Sequence, residues 1–186
     1  MLELINNKQN LFEADVVKSG ERDGTEIEKG VVLTEEYLLK HFESLGNLLS
    51  IFTAYPDLYL DIIKPADSTF DLFFYQRITL RAIMRFKDIF ITAPRAFSKS
   101  FITILGLFLQ CVFIPGTKRF ICAPNKNQSA QIAKEKIVEI YDKWPLLRKE
   151  VVGGEVSDTP GNFGKDYVTL KFRNSSQFDV VGALDS

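Results

Sequence analysis

Between residues 88 and 144 the chain alternates between two hydrophobic rhythms, and that alternation restricts what it can fold into. Residues 89–93 form a short run of β-branched and aromatic side chains, the composition of a strand buried in a parallel sheet. Residues 94–98 read as a loop, and Lys99 opens a strongly apolar helix that Pro115, Gly116 and Thr117 end. Residues 118–123 predict a second strand, closed by Pro124 and Asn125. Residues 127–144 predict a second long helix with Ile132, Ile137, Ile140 and Tyr141 on its inner side. Strand, helix, strand, helix in succession is the pattern of an α/β fold with helices flanking a parallel sheet. Farther on, residues 166–173 and 177–181 read as strands joined by a hairpin turn at Asn174, Ser175 and Ser176.

Ahead of this core lies a different kind of sequence. Residues 11–30 are rich in Glu, Asp, Lys and Gly and read as an exposed lead-in. Thr34 has the character of a helix N-cap, with Glu35 and Glu36 in the first turn. Leu38, Leu39, Phe42, Leu45, Leu48 and Leu49 follow at helical spacing. Pro56 ends that helix, and Pro65 with Asp67 and Ser68 marks another break. Residues 73–86 predict a helix whose Arg77, Arg81 and Arg85 share one solvated face at i, i+4 spacing. The expected division is therefore a helical N-terminal region over 1–70 and an α/β domain over 71–186.

Composition narrows the function classes. The net charge of -1 supplies no global positive field, so contact with nucleic acid would have to come from local patches. Lys118, Arg119, Lys126, Lys134 and Lys136 are candidates, although a solvated helix face accounts for each. One histidine, with Cys111 and Cys122 in apolar surroundings, offers no zinc-ligand spacing; two buried free thiols and a reducing compartment are expected. The apolar stretch 101–114 is shorter than the roughly 20 residues of a spanning helix and contains Gln110, so no membrane span is expected.

The chemistry-bearing motif lies where the first strand meets the first apolar helix. The octet Ala93, Pro94, Arg95, Ala96, Phe97, Ser98, Lys99 and Ser100 matches G-x-x-x-x-G-K-[ST] at Lys99 and Ser100, with both glycines replaced, by Ala93 and Ser98. A triphosphate needs inward N–H groups, a positive helix N-terminus and a cation reaching the outer phosphates. Lys99 supplies the cation, and Ser100 a hydroxyl for Mg²⁺. A plainer account is that Ser98 merely N-caps a helix. That account leaves Arg95 and Lys99 crowded beside the positive end of a helix dipole, which is unfavourable without an anion.

The segment from Arg95 to Ser100 resembles the deviant phosphate-binding loop of the large terminase subunit, the DNA-packaging ATPase of tailed phages. Tyr75 and Gln76 resemble the upstream segment in which that family carries an adenine-contacting glutamine, and residues 120–131 resemble its second strand and following helix. The resemblance implies a P-loop NTPase fold of the RecA-like kind, with ATP and Mg²⁺ as cofactors. It assigns phosphate and metal contacts to Lys99 and Ser100, γ-phosphate sensing to Arg95 and adenine recognition to Gln76, with the octet 93–100 as the binding loop; Tyr75 would stack near the base or serve as a core aromatic. It further implies an ATPase that moves double-stranded DNA into a procapsid in the host cytoplasm. Its partners would be a portal protein, the small terminase subunit and further copies in a ring.

The acidic strand end that such an ATPase needs has one candidate, Asp185, which no glutamate follows. The catalytic carboxylates and a nuclease domain are therefore expected beyond Ser186. Two other readings share these features. One is a superfamily 2 helicase-like ATPase, which generally keeps glycine before the lysine and lacks the early arginine. The other is a nucleotide-binding assembly module without hydrolysis.

Overall fold

The computed structural model describes residues 41–123, 126–165 and 167–182. The expected lead-in over 11–30, the N-cap at Thr34, Leu38 and Leu39, Asp166 and the candidate carboxylate Asp185 lie outside the described residues, as does the side chain of Lys126. The chain divides into two compact units, Met1–Leu48 and Leu49–Ser186. Of the first, residues 41–48 are described and include the start of helix α1 (Phe42–Ala54). Among the described residues, the second holds the sheet and the helices that follow α1.

Pro56 ends one helix and starts another. Helix α2 (Pro56–Ile63) begins on it, since a proline in the first turn sacrifices no helical hydrogen bond. Helix α3 (Phe74–Arg85) occupies the span expected for it, and the Phe73 N–H donates to Gln76 Oε1 at 2.9 Å, satisfying one donor at its start. The solvated arginine face is corrected at two of its three positions. Asp57, in the first turn of α2, has no exposed surface. A buried carboxylate is costly unless paired, and Arg81 grips it with two hydrogen bonds of 2.8 and 2.6 Å. Arg77 approaches Asp57 at 3.5 Å and binds Asp61 at 2.5 and 2.9 Å. Burial pushes the Asp57 carboxyl upward, but the two guanidinium groups outweigh it and hold the group below its usual range. Of the three arginines, Arg85 alone stays exposed.

Helix α4 (Lys99–Phe113) is the centre of the core. Nine of its residues are buried, Leu105, Phe108, Leu109 and Cys111 completely. At about 1.5–3 kcal/mol for each large apolar side chain, packing rather than helix propensity stabilises this β-branched and aromatic sequence. Gly106 lets α3 approach, because a Cβ there would stand 2.8 Å from Ile83 Cδ1. Gln110, the polar residue in this apolar run, donates to the Ile83 carbonyl (2.8 Å) and accepts from Arg119 Nε (2.7 Å), so it ties α3 to the first strand. Helix α5 (Lys126–Lys143) and the short α6 (Pro145–Lys149) follow, with Trp144 buried between them and donating to the Leu60 carbonyl at 3.1 Å. On α5, Ile137, Ile140 and Tyr141 face inward as expected, whereas Ile132 is exposed.

The sheet is mixed rather than parallel. Strands β1 (Lys118–Ala123), β2 (Asn162–Phe163), β3 (Val168–Lys171) and β4 (Gln177–Gly182) lie in the order β1-β4-β3-β2. The β1–β4 pair is parallel, and the other two are antiparallel. The reason is local. Asn174 holds a tight turn with Ser175 at φ 66, which returns the chain antiparallel, and the turn caps α4 through bonds from Asn174 Nδ2 to the Cys111 and Val112 carbonyls. One sheet face, carrying Phe178, Val180, Val168 and Leu170, is buried beneath α4 and α5. Phe120, Cys122 and Val181 are exposed. The thiols therefore divide. Cys111 is buried, and desolvation pushes it up to about 12, while Cys122 is exposed, contrary to the pair of buried thiols expected.

Candidate phosphate-binding loop

The strand expected at residues 89–93 does not form. Those residues pair with no described strand, and Ile89, Phe90 and Ile91 are 40, 94 and 39% exposed. β-rich composition expresses fitness for a pleated, half-buried surface, and a ladder also needs a neighbouring edge. Among the described residues β1 lends its hydrogen-bonding groups to β4 alone.

Beyond that segment the chain curls into a loop. Ala96 and Ser98 both hold left-handed backbone, at φ 64 and φ 53. For a residue with a Cβ this costs about 1–2 kcal/mol. Ser98 stands where the motif has glycine, so the departure from pattern is present as backbone strain. Lys99 supplies the compensation, its Nζ donating to the Ala93 (2.7 Å) and Pro94 (2.6 Å) carbonyls. The loop therefore bends around its own ammonium group.

Ser98 occupies the N-cap position of α4, as the plainer account has it, but in left-handed backbone and with no cap hydrogen bond from its side chain. The first helical bond at this end runs from the Ile102 N–H to the Ser98 carbonyl. Among the described residues the backbone N–H groups of Lys99, Ser100 and Phe101 have no acceptor. Arg95 and Ser100 are exposed, and neither side chain bonds another described residue. No described carboxylate pairs with Arg95 or Lys99. Three free N–H groups, two cations and a positive helix end form a donor set that fits an anion. The Ser100 hydroxyl, one residue after Lys99, suits a cation carried by that anion.

Helix α3 brings its own candidates to the loop. Tyr75 and Phe97 are stacked with ring centroids 4.0 Å apart, and Phe73 lies against Tyr75 at 5.7 Å. A cavity of ≈ 110 Å³ adjoins them, lined among others by Thr79, Lys99, Ile102 and Thr103. Gln76 is 3% exposed, and its Oε1 accepts the α3 cap bond from Phe73. Its Nε2 amide has no partner among the described residues, which leaves that donor alone for recognition. The structure thus joins the segment around Tyr75 to the loop. Phe97, which the motif pattern treats as a free position, is the residue that makes the contact.

Elsewhere the candidates disperse. Lys136 pairs with Glu139, Lys134 lies over the Phe163 ring, and Arg119 is held by Gln110. Asp179 bonds Thr169 and Gln177 in the sheet. Among the described residues no group of three His, Cys, Asp or Glu could hold a metal ion, and no helix is long and apolar enough to cross a membrane. Comparison with protein-family models, curated proteins and solved structures finds no match for this chain.

Proposed function

We propose that residues 93–100 bind the triphosphate of ATP, and that the chain is the nucleotide-binding part of a viral motor that packages double-stranded DNA. The single observation behind the first half is the donor set at the start of α4: Arg95, Lys99 and three free N–H groups with no described carboxylate to neutralise them. The second half is supported by the resemblance of Gln76, Arg95 to Ser100 and residues 120–131 to large terminase subunits. In that reading Lys99 and Arg95 hold phosphate oxygens, and Ser100 holds Mg²⁺. The Gln76 Nε2 amide meets adenine, while its oxygen keeps the end of α3 capped. Bound Mg-ATP supplies the phosphoanhydride whose cleavage drives the motor. Double-stranded DNA, a portal protein, the small terminase subunit and further copies of the chain would be its partners, in the host cytoplasm.

Titration of the chain with Mg-ATP in a calorimeter tests this. Wild type binds, and Lys99→Ala weakens binding by about 100-fold, the loss expected for charge-assisted hydrogen bonds to phosphate. Equal affinity of the two proteins would remove the loop from the proposal.

A further inference from the structure

Two aromatic rings of the chain itself lie against Tyr75. Phe73 lies parallel to it, with an interplanar angle of 6°, and Phe97 is stacked on it with ring centroids 4.0 Å apart. A base inserted between Tyr75 and Phe97 would need the rings about 7 Å apart, two contact distances, against the 4.0 Å observed. Stacking of a base on this face of Tyr75 therefore requires Phe97 to leave. The backbone on either side of Phe97 is strained, at Ala96 and Ser98, and Lys99, which fastens the loop, is the residue that phosphates would draw away. The adjoining cavity gives the displaced ring an apolar recess bordered by Ile102 and Thr103.

We infer that Phe97 is a specificity-determining residue: its ring competes with the nucleotide base for Tyr75, so it sets how much the base adds to the binding of the triphosphate. The inference rests on the phosphate-binding reading of residues 93–100 and adds an order to it. Phosphates engage and loosen the loop, and the base then displaces Phe97 to take that face of Tyr75.

Affinities for Mg-ATP and for Mg-tripolyphosphate, which has no base, separate the two ideas. Phe97→Ala should raise the ratio of ATP to tripolyphosphate affinity by about two- to tenfold, the range of one aromatic pair, and any change in phosphate affinity common to both ligands cancels in that ratio. Phe97→Leu, which keeps apolar bulk in the loop, should raise it less. The gain should vanish in the Tyr75→Ala/Phe97→Ala double variant. An unchanged ratio overturns the inference and leaves the loop assignment standing. A reduced ratio also overturns it, by making Phe97 a wall of the base site. If wild type binds neither ligand, the loop assignment fails and takes the inference with it. Thermal melting of each variant confirms that it is folded, which the half-exposed position of Phe97 favours.

Discussion

Arg77 and Arg81 meet their counter-charge inside the chain, whereas Arg95 and Lys99 meet none among the described residues. The first pair converges on a carboxylate with no exposed surface, and the second sits in solvent at the end of a helix whose dipole repels it. In both pairs two basic residues stand four positions apart. A cluster of cations therefore acquires its meaning from its anion. Where the chain provides the anion, the cluster is part of the framework. Where it does not, the cluster is available to a ligand.

Three measurements test this contrast. The largest effect belongs to Arg81→Met, which leaves Asp57 with the longer contact to Arg77 and should lower unfolding stability by about 2 kcal/mol. That is less than a fully buried pair would lose, because Arg81 is partly exposed. Denaturant melts that show no change would make the cluster ornamental. A smaller effect is expected in acid. Asp57 is held below its unfolded value, so its contribution is complete above the ordinary carboxylate range and disappears as pH falls below about 4. Asp57→Asn should flatten that part of the stability–pH curve, and a curve of unaltered shape would contradict the assignment. The smallest effect is expected at Arg95→Met, within about 0.5 kcal/mol of wild type, as for an unpaired surface side chain. A loss as large as that of Arg81→Met would mean that Arg95 has a structural partner after all.

The sequence-based expectations succeeded where the information was local. Helices α3, α4 and α5 were legible because their apolar residues repeat within each segment, and the β3–β4 turn because Asn174 and its serines are suited to one. They failed where the determinant lay elsewhere in the chain. Arg77 and Arg81 looked solvated because Asp57 lies 20 and 24 residues away. Residues 89–93 have the composition of a strand, but no composition supplies the neighbour that a ladder requires. Helix α2 was hidden because Pro56 reads equally as a stop and as a start. At the candidate loop, the cations and the missing glycines were visible in one dimension. The stacking of Phe97 on Tyr75 was not, since it joins two segments whose approach depends on how α3 packs against α4.

The unequal treatment of the two thiols has a practical outcome. Cys122 is open to solvent while Cys111 is sealed in the core and resists ionisation. A maleimide dye added to the unaltered protein would therefore attach at one defined point on β1. The native sequence thus carries its own spectroscopic handle, and anything that settles over that strand would be registered as a change in labelling rate.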